Sequence, residues 1–351
     1  MPSLPHGDLE RVCSQALVAA GAPERSARIV AEHLVDNDLV GHASHGVIRL
    51  RDYVDFIKAG QLVPDAEPEI VSESAATAQV DGRWTFGQVA AGFATELAID
   101  KARPSGISCV TVRNLNHLGR LGAYAETVAN AGMASIFFAG GGGHGIAQTP
   151  FGGIERRLNS NPIAMSFPSQ LEGPYVLDMA TSAVAEGKLR LYRARGESTP
   201  PGWIVDSAGN STTDPNDFYD GGALLPFGHG EGHKAYGIAF MVDLFGGILS
   251  GGGIPGDPAE AFTNDCTIIV INVEQFAPIV DGKRRAAAMT QYIKETRLLD
   301  ESRPVLYPGE PEIASRLANL EKPIEIERTT WATIVSVLLE YSLGDLADAY
   351  S

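Results

Sequence analysis

Apolar residues near the start of the chain recur at helical spacing. Leu9, Val12, Cys13, Ala16, Leu17 and Ala20 fall at i, i+3 and i+4 intervals, and Gly21 with Pro23 supplies a stop. A second helix is expected over Glu24 to Leu39. A third is expected after Ser44, carrying Ile48, Leu50, Val54 and Ile57 before Gly60. Further on, strands alternate with helices. The β-branched run Ile107 to Val112 predicts a strand, as do Ala134 to Ala139, Ile163 to Phe167, Tyr175 to Leu177 and Thr267 to Val273. Helices are predicted over Gly119 to Ala131, Ser182 to Ala194, Lys234 to Leu249, Asp281 to Thr296 and Thr330 to Tyr341.

This pattern is α/β or α+β in class. Glycine and proline cluster at 140–153, 196–232 and 250–257, which read as loops, the usual place for chemistry. A chain of 351 residues allows one large domain or two to three smaller ones, with boundaries expected near residues 75 and 300. Apolar residues make up 44% and charged residues 20%, enough apolar side chain for a core. Lys and Arg number 27 against 43 Asp and Glu, a net charge of −16, which disfavours nucleic-acid binding. An anionic ligand would need a few placed cations rather than the global field. Cys13, Cys109 and Cys266 are far apart with no CxxC pair, which argues against a disulfide framework or a structural zinc. The N-terminal residues lack a basic start followed by an apolar stretch, so no signal peptide is expected. The apolar segment Tyr236 to Ser250 falls short of the ~20 residues that span a bilayer. A cytoplasmic, reducing setting is the expectation.

Gly140, Gly142 and Gly145 satisfy GxGxxG, but Pro150 and the Gly152-Gly153 pair forbid the long helix that a dinucleotide fingerprint requires. A glycine-rich turn that admits a ligand to the backbone fits better. No P-loop motif is present. In Gly41-His42-Ala43-Ser44-His45-Gly46-Val47-Ile48-Arg49, Ser44 is a candidate N-cap, with His45 in the first turn and Arg49 one turn on. A hydroxyl, an imidazole and a guanidinium at a helix start form a carboxylate receptor. The plainer alternative is a capped helix with an Arg49–Asp52 surface pair. His117 follows the strand ending near Val112, between asparagines able to fix its tautomer, and histidine can exchange a proton with a hydroxyl near neutral pH. By itself it could equally cap or pack the turn. Asp178 ends a strand before Thr181 and Ser182, candidate caps for the next helix; it could orient a basic group or simply satisfy loop amides. His229, Glu231 and His233 precede Lys234 in a glycine loop. Their spacing does not put metal ligands on one helix face as HExxH does.

Taken together, GHASHGVIRLRDYV, NLNHLGRLGAY, TPFGGIERRLNSNPIAMSFP, VLDMATSAVAEGK, PPGWIVDSAGNSTTDP, LLPFG with HKAYG, and YPGEPE run in order from residue 41 to residue 312. In this the chain resembles the malate/L-lactate dehydrogenase type 2 family, which includes ureidoglycolate, sulfolactate and diketogulonate oxidoreductases and cyclic-imine reductases. The resemblance implies a non-Rossmann NAD- or NADP-binding fold with a largely antiparallel central sheet and a helical substrate region, assembled as a homodimer. It implies that residues 1–75 form the substrate and dimer region, 76–300 bind the cofactor and catalyse, and 301–351 pack back on the N-terminal region. It places Ser44 and Arg49 toward a small carboxylate substrate and His117 as acid/base, with His45 the alternative in some members. His144, Asp178, Met179, Ala180, Lys234, Pro308, Gly309 and Glu310 match cofactor-contact segments. Three departures stand out: Leu115 where the family often has Ser or Asn, GGGGHG at 140–145 in place of a more polar segment, and Ala235 where KGYG has glycine.

The implied reaction is hydride transfer between nicotinamide and a small 2-hydroxy or 2-keto acid, of malate or lactate type, or with ureidoglycolate, sulfolactate or a cyclic imino acid. Two other classes fit the residues less well. One is a metal-dependent hydrolase using His229, Glu231 and His233; the other is a noncatalytic small-molecule binder.

Overall fold

The computed structural model describes residues 2–142, 145–258 and 263–350. Its centre is a seven-stranded sheet. Across the sheet the strands run Glu69–Glu73, Thr77–Asp81, Ile107–Arg113, Asp265–Asn272, Met133–Gly140, Ile163–Phe167 and Tyr175–Met179. Thr77–Asp81 pairs parallel with Ile107–Arg113, and every other pairing is antiparallel. A doubly wound dinucleotide fold needs successive parallel strands with crossover helices. This sheet therefore rules that fold out, and the glycines explain themselves otherwise. Gly140 closes its strand, paired with Asp265, and Gly141 takes a φ of +121° where a Cβ would come 2.5 Å from Asp265 Oδ2.

The alanine-rich helix Gly87–Ser105, not anticipated from the apolar pattern, lies over this sheet. Its buried face is Ala90, Ala91, Ala94, Ala98 and Ala102, small residues that let it sit close to the strands. The flanking helix Leu121–Asn130 adds Tyr124, Ala125 and Val128 to the same core. A second core joins both ends of the chain. Helices His6–Ala19, Glu24–Leu39 and Leu50–Lys58 pack with helix Arg328–Glu340 through Leu9, Leu17, Leu34, Tyr53, Trp331 and Leu338. A small three-stranded sheet sets Ile204–Val205 between Ser211–Thr212 and Ala223–Leu224.

Several predicted boundaries move, each for a local reason. The segment after Ser44 is two successive 3-10 turns, Ala43–His45 and Val47–Arg49, and the α-helix begins only at Leu50. Gly119 has a φ of +77° and Arg120 is extended, so the next helix starts at Leu121. The helix expected from Ser182 starts at Glu186, and that expected from Lys234 runs His233–Val242 before widening into a π turn, Asp243–Ile248.

Candidate active site

The sequence brings His45, Arg49 and His117 together although they lie on three segments. All three line one cavity of about 610 Å³. The two imidazole rings stack, with centroids 5.8 Å apart and planes 22° apart. Ser44 does not cap a helix here. Its hydroxyl instead lies 3.0 Å from His45 Nδ1, and its carbonyl oxygen accepts from Arg49 Nε at 2.9 Å. Arg49 Nη1 donates to Asp52 at 2.9 Å, so the plain Arg–Asp pair exists inside the candidate site rather than instead of it. Beneath this turn, the backbone N–H of Val47 donates to Asp38 Oδ2 at 2.9 Å. A Cβ on Gly46 would lie 2.1 Å from Asp38, so only glycine admits that approach.

The loop carrying His117 is pinned on several sides. Its own backbone N–H donates to Asn116 Oδ1 at 2.8 Å, the N–H of Leu118 to Asn264 Oδ1 at 3.3 Å, and the N–H of Arg120 to His33 Nε2 at 3.1 Å. Asn116 thus holds the backbone, not the ring. The ring's Nδ1 meets the Tyr53 hydroxyl at 2.9 Å, a partner that sequence reasoning missed. Helical spacing on Leu50–Lys58 could have found it, since Tyr53 lies one turn beyond Arg49.

Burial dominates the electrostatics. It holds His45 down to about 3 and His117 well below the ordinary histidine value, and the Arg49 guanidinium pushes both the same way. Both rings are therefore neutral imidazoles at pH 7, the form able to accept a proton. Two further arginines on the cavity wall were not singled out in the sequence. Arg190 Nε donates to Glu186 at 2.8 Å. Arg156 is held by the carbonyl oxygens of Gly222 and Phe218 and lies 4.0 Å over the Phe218 ring. Burial lowers the Arg156 pKa, and the Glu186 carboxylate works against that shift.

A second cleft, of about 690 Å³, shares His45, Gly119, Ser160, Pro162 and Ala185 with the first. Ser44, Asp178, Met179 and Ala180 line this second cleft, beside Lys188 and Trp203. Asp178 Oδ2 accepts the Gly122 N–H at 2.7 Å, the amide-satisfying role weighed from the sequence, and burial raises its pKa. Thr181 and Ser182 cap no helix; their hydroxyls donate to the carbonyl oxygens of Ser160 and Val184. Lys234 lines neither cleft: it is exposed and pairs with Glu231 at 2.9 Å. Pro308, Gly309 and Glu310 also lie off both walls, but Pro308 accepts from the N–H of Val176, two residues before Asp178 on its strand. His144 lies outside the described residues. Among the described residues, no group of three or more His, Cys, Asp or Glu side chains is placed to hold a metal ion.

The relatives identify the class of protein to which these two adjoining clefts belong. Residues 4–335 match the family model for malate/L-lactate dehydrogenase. A malate dehydrogenase of Pyrococcus abyssi is 39% identical over 331 residues, covering 92% of this chain and 90% of its own length. Hydroxycarboxylate dehydrogenase B of Escherichia coli O157:H7 is 37% identical, covering 90% of this chain and 87% of its own. Among solved structures, sulfolactate dehydrogenase from Methanocaldococcus jannaschii superposes with a TM-score of 0.89 at 32% identity, covering 99% of both chains. The chain belongs to the malate/L-lactate dehydrogenase family.

Proposed function

We propose that this protein oxidises a small 2-hydroxy acid to the 2-oxo acid, and catalyses the reverse, with NAD or NADP as hydride partner. The observation that carries the reading is the shared cavity: two stacked neutral imidazoles beside an arginine, open to a second cleft. The second cleft fits a nicotinamide nucleotide. It joins the substrate cavity at His45 and Gly119, and offers Lys188 as a cation on a mostly apolar wall. When bound there, the nicotinamide ring takes or gives the hydride. Asp178, Met179 and Ala180 would line its pocket. The Pro308-Gly309-Glu310 turn and Lys234 stay candidates for the far end of the dinucleotide, with His144 beside them by resemblance.

The chain's own residues do the rest. Arg49 receives the substrate carboxylate through the part of its guanidinium not committed to Ser44 and Asp52. His117 takes the hydroxyl proton during oxidation and returns it during reduction. A bound carboxylate neutralises Arg49 and so removes one cause of the depressed His117 basicity. Among the described residues Arg156 pairs with no carboxylate, which favours substrates with a second anionic group, malate or sulfolactate, over lactate. The experiment is a panel of lactate, malate, sulfolactate, ureidoglycolate and cyclic imino acids with both cofactors, alongside NADH and NADPH fluorescence on mixing. Absence of both turnover and cofactor binding would overturn the reading.

No helix among the described residues is long and apolar enough to cross a membrane. Cys13, Cys109 and Cys266 are free thiols, which suits the reducing cytoplasm. A homodimer is proposed on the exposed apolar side chains around helix His233–Val242.

A further inference from the structure

The hydroxyl of Tyr53 sits between two nitrogens. Gln88 Nε2 donates to it at 2.6 Å, and His117 Nδ1 lies 2.9 Å away. Tyr53 and Gln88 are each only 1% exposed, so water does not compete for these bonds. A phenol carries one hydrogen and an amide nitrogen only donates. Burial also keeps the phenol protonated, because it raises the Tyr53 pKa.

We infer that the Gln88 amide, acting through Tyr53, sets which nitrogen of His117 carries the proton. This rests on the reading of His117 as acid/base. With the amide nitrogen inward, the Tyr53 hydrogen points at Nδ1, and neutral His117 holds its proton on Nε2. That form donates to a carbonyl oxygen but cannot take a proton through Nε2. Turning the amide by half a rotation reverses both bonds. Gln88 Oε1 then accepts from Tyr53, the Tyr53 oxygen accepts from Nδ1–H, and Nε2 becomes the basic atom. In this state the alcohol O–H bond breaks, an Nε2–H bond forms, and the C–H electron pair leaves as hydride to the oxidised nicotinamide. The imidazolium keeps its Nδ1–H bond to Tyr53.

The buried environment makes the two orientations a real choice. In the observed one, Gln88 Oε1 is buried and has no hydrogen-bond partner among the described residues, and the turned amide gives that oxygen the Tyr53 hydrogen. The two orientations have the same shape, so packing does not select between them. Among the described residues, the other charged or titratable groups acting on His117 are Arg49, His45 and His33, from the two 3-10 turns and helix Glu24–Leu39. None of them bonds Nδ1, so Gln88 and Tyr53 act there as positioning residues.

The test is nitrogen NMR on the full-length protein labelled in histidine, without substrate, with His117→Gln to assign the signal. Gln88→Glu places an acceptor beside Tyr53. It should move the neutral proton to Nδ1 and let the imidazolium persist to higher pH, and the acid limb of oxidation should move up with it. Gln88→Met and Tyr53→Phe should lower kcat by about tenfold or more with KM within about threefold, part of the 10²–10⁴ that acid–base help supplies. Gln88→Met, isosteric and apolar, carries the test if the glutamate does not fold. An identical His117 tautomer and titration in wild type, Gln88→Glu and Gln88→Met would overturn the inference. A tautomer that responds in a protein oxidising no hydroxy acid would leave this inference standing and remove the functional reading instead.

Discussion

A Cβ on Gly87 would lie 2.4 Å from the carbonyl oxygen of His117. The start of helix Gly87–Ser105 therefore presses directly on the loop that carries the proposed acid/base. Gly87→Ala should push that loop outward. Overpacking of this kind costs about 1–3 kcal/mol. The expected outcome is a lowered Tm together with a kcat loss larger than the change in KM, measured by thermal melts and steady-state kinetics on the same preparation. A variant with unchanged kcat would show that the loop position does not matter to the chemistry.

His117 and His45 share the cavity, and replacing each separately decides which one exchanges the proton. His117→Ala should lower kcat by about 10²–10⁴, the usual worth of positioned acid–base catalysis. His45→Ala should cost less, because in this reading His45 stacks on His117 without exchanging the proton. Oxidation needs neutral His117 and reduction the protonated ring, so the two directions should show opposite pH trends. A loss under tenfold for His117→Ala, with a larger loss for His45→Ala, would exchange their roles.

Arg49 and Arg156 should separate by substrate. Hydrogen bonds to charged groups are worth about 1.5–3 kcal/mol, so Arg49→Ala should raise KM about 10- to 100-fold for every 2-hydroxy acid. Arg156→Ala should do so for malate and sulfolactate and spare lactate. Parallel KM series for the two variants check this. Equal effects on lactate and malate would place Arg156 outside substrate recognition.

Much of this site was legible in the chain before any coordinates. β-Branched runs marked Ile107–Arg113 and Asp265–Asn272 because strand composition is local, whereas the edge strands Glu69–Glu73 and Thr77–Asp81 went unmarked. The pairing of His45 with Arg49 came from their spacing, but bringing His117 to them was not local and came from the ordered motifs. The helix Gly87–Ser105 stayed hidden because alanines carry a weak apolar signal while packing closest. Gln88, Arg156 and Arg190 were equally silent, and Tyr53 had only its spacing from Arg49 to mark it. Their meaning comes from partners far away in sequence, such as Gln88 beside Tyr53 and Arg156 under the Phe218 carbonyl. The 3-10 turns in place of a helix start at Ser44 follow from Asp38, which takes the Val47 amide and fits only under a glycine at 46.

That same Asp38 yields a pH prediction. Burial raises its pKa from 3.8 to about 7, with only the Val47 amide working the other way. A carboxyl raised on folding contributes stability fully below its unfolded value, and the contribution is lost as pH rises through about 7. Asp38→Asn keeps an acceptor for Val47 but cannot ionise. Relative to wild type, it should gain stability between pH 5 and pH 8.5, on the order of 2–4 kcal/mol at one pKa unit per 1.4 kcal/mol. His33 and His45 act with the opposite sign. Burial lowers them to about 4 and about 3, so their contribution is present above the ordinary 6.5 and is lost as pH falls toward those values. Urea titrations of wild type and Asp38→Asn at both pH values test this. An equal difference at both would mean that Asp38 titrates normally.

The last prediction concerns assembly. Helix His233–Val242 and the π turn after it press inward on the sheet. Gly246 and Gly247 meet the backbone at 140 and 141, and Asp243 accepts from Asn161 at 2.7 Å. Among the described residues the outward side chains are less covered: Phe240 is 50% exposed, Met241 45%, Ile248 56% and Leu249 51%. Four exposed apolar side chains within ten residues are what a surface covered by association would present. A second copy of the chain can cover it on both protomers at once by two-fold symmetry. Sedimentation equilibrium of the wild type at micromolar concentration should give a dimer. Phe240→Glu combined with Leu249→Glu should shift it to monomer while leaving the circular dichroism spectrum unchanged. A wild type that sediments as a monomer, or a double variant that stays dimeric, would place the association surface elsewhere.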